Sequence, residues 1–227
     1  MTEEPDWHEA AHAGPGIADQ RRGQMLHAAL EVISERGFAE TRIADIAERI
    51  GLSPALVIYY FKTKDQLLTE AIRHYEDAWY AECTRRMDKL PTAAERLEEL
   101  VGMMLLPDRD PEPEGSSQLW LDFWAQAARN PDVASTRRKS DDRWREIIAS
   151  LVHAGQEAGE FADIDPVPFA VFVSVLLDGL TIQIALDDPV VDPVSAYELC
   201  MRYIADRLGI QWAPGSRDRR ATPATRA

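Results

Sequence analysis

The stretch Thr41–Lys64, TRIADIAERIGLSPALVIYYFKTK, reads as two short helices joined by a glycine turn and followed by a lysine-flanked helix start. Ile43, Ile46, Ala47 and Ile50 recur at helical spacing, which buries one face of the first helix and leaves Arg42, Asp45, Glu48 and Arg49 outside. Gly51 ends it. Ser53 before Pro54 starts another, because a serine hydroxyl accepts from free N–H groups and proline at the first helical position has none to satisfy. This second helix offers Pro54, Ala55, Leu56, Tyr59 and Tyr60 outward and turns Val57 and Phe61 inward, with Tyr60 open to either reading. Its small, nearly uncharged N-terminal end suits close approach to base edges in a major groove. Lys62 and Lys64 follow at the start of the next long helix, where ammonium and backbone N–H groups both meet phosphate. The outline is that of a helix-turn-helix DNA reader. A helical hairpin that merely packs has the same apolar spacing, but it needs no Ser-Pro start combined with a tyrosine pair and two lysines.

Over Arg21 to Leu68 the chain resembles the TetR family of transcriptional regulators. The family's first helix ends in Gly-Phe, matched by Gly37-Phe38, and Thr41 then matches its threonine-rich start. Asp45-Ile46-Ala47, Gly51-Leu52-Ser53, the aromatic run Tyr59-Tyr60-Phe61, Lys64 and Leu67-Leu68 continue the match at fixed spacing. Two positions depart from it. Ile58 replaces a tyrosine that usually bonds phosphate, and Arg42 stands where threonine is common, so one hydroxyl contact is lost and a charged one is offered. The resemblance implies an all-α fold, an N-terminal three-helix DNA-binding domain joined to a C-terminal helical bundle, and a homodimer on a double-stranded operator. The run Leu119–Ala127 and Asp178-Gly179-Leu180 resemble the C-terminal domain of a betaine-regulator-like branch of that family.

The chain has 227 residues, of which 45% are hydrophobic, enough for a sizeable core. A formal charge of −14 looks wrong for a DNA binder until it is mapped. Between Asp19 and Tyr75 eight Lys and Arg residues face eight Asp and Glu residues, so the negative excess lies outside the reader. An acidic body repels DNA and restricts contact to the neutral head. No apolar run is expected to reach bilayer length and no signal-peptide core precedes the head, which points to a cytoplasmic protein with no membrane partner. Cys83 and Cys200 are too few for a disulfide framework, and the five histidines are scattered, so neither a metal site nor a cofactor is expected. No nucleophile, metal set or acid–base pair stands at workable spacing, which argues against an enzyme.

Organisation follows from breakers and periodicity. Residues 1–17 read as a mobile tail, 18–63 as the DNA-binding domain, 64–211 as an effector-binding and dimerisation domain, and 212–227 as a loose C-terminal tail. Helices are expected over Asp19–Arg36, from Lys64 or Asp65 to about Lys89, and over Thr92–Leu106, with a loop over Pro107–Gly115. Four more follow: Ser117–Arg129, Val133–Gly159, Pro166–Leu186 and Pro193–Leu208. Trp120, Phe123 and Trp124 share one helical face and Trp144 lies on another. With Trp79, Met103, Met104 and Phe172 they are the candidate walls of a small-molecule pocket, set against the alternative of ordinary core packing. Asp178 is the candidate charged group there, favouring a cationic effector if buried and ionised; Asp122, Gln126, His153 and Gln183 are further polar groups beside the apolar stripes. Leu176, Leu180, Ile184, Tyr197, Met201 and Ile204 in the last two helices are expected to form a symmetric four-helix dimer interface. The function implied is a ligand-responsive repressor; the alternative is a small-molecule-binding or scaffold protein without specific DNA binding, for which Ile58 is the motive.

Overall fold

The computed structural model describes residues 16–106 and 116–214. The described residues form nine helices and no strand: α1 (Ile17–Glu40), α2 (Ile43–Arg49), α3 (Pro54–Phe61), α4 (Lys64–Met87), α5 (Ala93–Leu105), α6 (Ser116–Ala127), α7 (Pro131–Glu157), α8 (Pro166–Ala185) and α9 (Pro193–Leu208). The all-α expectation holds. The loop expected at 107–115 and most of both tails lie outside the described residues. Packing separates the chain into two units, one up to Glu76 and one from Asp77. That division falls inside α4, whereas the sequence reading begins the second domain at its first residue.

In the first unit, local chemistry sets every boundary. Gly37 leaves the helical course of α1 at φ 77°, a conformation open to glycine, and so creates an elbow after Arg36. Thr41 locks that elbow: it is buried, and both its N–H (3.2 Å) and its hydroxyl (2.8 Å) donate to the Gly37 carbonyl. Gly51, at φ 64°, makes the turn between α2 and α3. Ser53 Oγ then accepts from the Leu56 N–H at 3.3 Å, with Pro54 at the first helical position. Ile46, Ala47, Val57 and Phe61 are fully buried with Ala29 of α1 and Leu68 and Ile72 of α4, so both short helices are held by one small core.

The second unit repeats one start signal three times. Asn130, Asp165 and Asp192 each precede proline, and each side chain accepts from an N–H in the following first turn. Gly209, at φ 69°, closes α9 in the left-handed conformation. The core gathers Leu97, Leu100 and Met103 of α5, Ile148 and Val152 of α7, Val173 and Leu177 of α8, and Cys200 and Ile204 of α9. Trp212, assigned to a loose tail from the sequence, packs against this core. Its ring meets Tyr197 edge-on at 6.0 Å and its Nε1–H donates to Glu98 at 3.3 Å, because an indole gains both burial and an acceptor there.

One expectation needs correction. Helix α8 is 20 residues long with Asp178 its single charge, so by length and composition it does reach bilayer dimensions. It nevertheless packs against α5, α6, α7 and α9, and only a third of its apolar stretch is buried within the unit.

Candidate functional site

Helix α3 presents the face that the sequence assigned to DNA. Ser53, Pro54 and Ala55 are exposed, Leu56 and Tyr60 are half-buried, and Tyr59 stands 70% exposed with its ring edge-on to Tyr60 at 5.7 Å. Ile58 is exposed beside them, an apolar group where a hydroxyl was expected. Arg42 is exposed at the start of α2, and its backbone N–H donates to Asp45 at 2.8 Å. Asp45 also receives the Arg36 guanidinium at 3.2 Å.

The two lysines are held differently. Lys62 closes α3 at φ 56°, in a γ-turn completed by the Thr63 N–H on the Phe61 carbonyl at 2.5 Å. Its ammonium is exposed, donates to the Tyr59 carbonyl at 2.9 Å and lies 5.1 Å from the Tyr59 ring centre. Lys64 is turned inward instead. Its ammonium donates to the carbonyls of Phe38 (2.6 Å), Thr41 (2.9 Å) and Ala39 (3.2 Å), and sits 4.3 Å from the Phe38 ring centre. An ammonium has three N–H donors, and these three carbonyls take all of them. At Lys64 the sequence offered a phosphate contact; the structure shows a pin that fastens the start of α4 to the elbow between α1 and α2.

In the second unit, the aromatic candidates fall into two groups. Trp120 lies beside Phe123 and Trp124 along α6, with centroid distances of 5.7 and 6.3 Å; Phe123 is fully buried and the two indoles are half-buried. Trp79 of α4 and Trp144 of α7 are 8% exposed each and meet at 5.6 Å with a 63° interplanar angle. Neither indole N–H has a hydrogen-bond partner. Met103 is buried in the core and Met104 half-buried. Phe172 departs from expectation: it is 49% exposed and stacks outward on Tyr203 at 4.4 Å. His153 and Gln183 are exposed as well.

Asp178 belongs to a charge cluster that the sequence reading did not assemble. Asp141 of α7 receives Arg137 at 2.9 Å and Arg145 at 3.8 Å, one turn on either side. Burial pushes the Asp178 carboxyl up to about 6, and the negative charge of Asp141 adds to that, against the pull of Arg137 and Arg145. The spacing 137, 141, 145 was a readable signal; its meeting with α8 is tertiary. Arg143 lies 3.9 Å from the ring centre of Tyr80, another contact not anticipated. No group of three or more His, Cys, Asp or Glu among the described residues is arranged to hold a metal ion.

The residues assigned to pairing are mostly interior. Leu180, Tyr197, Met201 and Ile204 are buried within the unit, Leu176 and Ile184 are half-buried, and Tyr197 donates its hydroxyl to Glu98 at 2.9 Å. The open apolar row is a different one: Val167, Val171 and Val175 along α8 with Phe172 beside them, and Val194 and Leu199 on α9. Both helices carry apolar side chains over wide arcs, so periodicity alone did not say which arc faces in.

Comparison with known proteins fits both units. Residues 25–71 match the family model for bacterial regulatory proteins of the tetR family, and residues 93–209 match that for the BetI-type transcriptional repressor C-terminal domain. The HTH-type transcriptional regulator BetI of Escherichia coli O157:H7 is 28% identical over 204 residues, spanning 85% of this chain and 96% of the relative. A transcriptional regulator from Saccharomonospora viridis, solved in complex with choline, has a TM-score of 0.73 at 29% identity over 82% of this chain and 95% of its own. A TetR-family regulator from Rhodococcus sp. has a TM-score of 0.72 at 25% identity, covering 83% and 98%.

Proposed function

The chain belongs to the TetR family of bacterial regulatory proteins, with a BetI-type C-terminal domain, and from that premise we propose that it is a cytoplasmic repressor whose α3 reads a palindromic operator and whose second unit answers a small onium effector. The observation that carries the DNA reading is the outer face of α3. A serine-capped start with small exposed residues leads into an exposed tyrosine, which together suit a major groove. Ser53, Pro54, Ala55, Leu56 and Tyr59 face the bases, while Arg42 and Lys62 serve phosphate.

A homodimer supplies the second reader. Val167, Val171, Phe172 and Val175 on α8 and Val194 and Leu199 on α9 are exposed apolar side chains in a number a monomer rarely leaves open, and a twofold four-helix contact would cover them. The effector class rests on two features together: the choline bound by the Saccharomonospora viridis regulator, and the buried indole pair Trp79–Trp144, with Asp141 one turn before Trp144 along α7. Indole faces attract onium groups, most strongly when water is excluded. Effector and operator then oppose each other through one coupling free energy, typically ~1–3 kcal/mol, and each weakens the other's binding equally.

The test is a gel shift with the duplex upstream of the protein's own gene, using wild type and Tyr59→Ala. The variant is expected to lose roughly ten- to a hundredfold in affinity while its sedimentation is unchanged. Equal affinity in wild type and variant would remove α3 from the interface.

A further inference from the structure

Resting on the DNA reading of α3 above, we infer that Ile58 determines specificity: its exposed side chain reads the 5-methyl group of a thymine in each operator half-site. The outer face of α3 is defined by what it lacks. From Pro54 to Phe61 the helix has no Arg, Lys, Asn, Gln, Asp or Glu, so none of the side chains that pair with guanine, adenine or cytosine edges through charged or amide groups stands on it. Its only side-chain hydrogen-bonding groups are the hydroxyls of Tyr59 and Tyr60, and the Ser53 oxygen before it accepts from the Leu56 N–H at 3.3 Å.

What the face does carry is apolar. Pro54, Ala55, Ile58 and Tyr59 are exposed, and at about 100° per residue Ile58 and Ala55 fall between Pro54 and Tyr59. Val57 and Phe61, fully buried, anchor the helix to the small core of the first unit, so packing holds Ile58 outward at 47% exposure. Its branched Cβ leaves it essentially one rotamer in a helix, and little freedom is lost when it is covered. Polarity then selects the covering group. Against phosphate an isoleucine strips water from the oxygens and returns no donor, which costs free energy. Against guanine, adenine or cytosine it meets donors and acceptors with the same result. The thymine 5-methyl is the apolar group that base edges present in the major groove, and contact with Ile58 removes apolar surface from water on both sides. Ala55, one turn earlier, is small enough to let the helix approach closely.

The experiment starts from a genomic duplex that the wild-type, full-length protein selects over random sequence. Each thymine is replaced in turn, symmetrically in both half-sites, by deoxyuridine, which deletes the methyl and keeps the base pair; affinity is followed by fluorescence anisotropy. At one position or more the loss is expected to be about fourfold per methyl, roughly fifteenfold for the symmetric pair. Ile58→Ala is expected to bind the thymine operator more weakly and to bind the thymine and deoxyuridine duplexes at that position alike. Ile58→Val is expected to keep part of the discrimination, and it decides the case if the alanine variant binds too weakly to titrate. A wild type indifferent to every thymine methyl, or discrimination undiminished in the Ile58 variants, overturns the inference and leaves the DNA reading standing. Selection of no fragment over random sequence sinks the DNA reading itself, and the inference with it.

Discussion

Lys64 spends its ammonium on the protein's own backbone. Its ammonium joins three carbonyls of the Phe38–Thr41 elbow to the start of α4. Replacing it with methionine keeps the chain length and leaves those carbonyls without their charged donor, a loss of about 1.5–3 kcal/mol. Lys64→Met is therefore expected to lower the melting temperature followed by circular dichroism. The slope of log affinity against log salt on the operator is expected to stay where it is in wild type; a phosphate ligand would take about one from that slope, and such a change would restore the direct contact. Asp178 offers a second single-residue test. Its pKa lies above that of an unfolded aspartate, so the native state holds the proton more tightly and stability falls as pH rises from about 4 through about 6. Asp178→Asn is expected to raise thermal stability at pH 7 by about 1–2 kcal/mol, discounted for partial solvent access, and to change nothing below pH 4. Destabilisation at neutral pH would mean that the ionised carboxylate is well satisfied. At Cys200 burial pushes the thiol up to about 12, which disfavours the thiolate that oxidation requires.

At the scale of helices, boundaries are written locally and packing partners are not. The glycine at 51, the serine–proline pair at 53 and 54, and the Asn-Pro and Asp-Pro pairs before α7, α8 and α9 fix where elements begin, since each acts on its own turn. The exposed face of α3 was readable for the same reason. Lys64 was half-readable: its place at the start of α4 was plain, but its acceptors lie more than twenty residues away along the chain. The inward arc of α8 was not readable, because a helix apolar nearly all round has no preferred side until its neighbours are known. The join between α7 and α8 gives a measurable consequence. Gly155 of α7 lies against the Phe161 ring, where an added Cβ would overlap ring carbons. Gly155→Ala gains helix propensity worth up to ~1 kcal/mol, yet it is expected to destabilise by about 1–3 kcal/mol through overpacking. A variant melting above wild type would show that Phe161 moves aside freely.

For the whole molecule, the near-neutral charge of residues 19–75 and the exposed apolar side chains of α8 and α9 support the proposal that the protein meets DNA with its first unit and a second copy of itself with the second. Contacts of Arg42 and Lys62 with phosphate should make binding weaken as salt rises, whereas the acidic remainder is repelled by DNA and that repulsion is itself screened by salt. Val175 is 60% exposed in the middle of the row. Val175→Glu is expected to leave helicity intact and convert the dimer to monomer in analytical ultracentrifugation, with operator affinity lost in parallel because one reader alone spans half a site. A dimer that survives the carboxylate would place the interface elsewhere. The alternative of a ligand-binding protein without DNA activity, raised by Ile58, is separated from this account by selection on genomic duplexes. Fragments retained by the wild type should share a twofold-symmetric site with half-sites about 34–36 Å apart, one helical turn, or a multiple of that, and Tyr59→Ala should enrich them far more weakly. Retention of fragments without common sequence, or the same enrichment by both proteins, would contradict it.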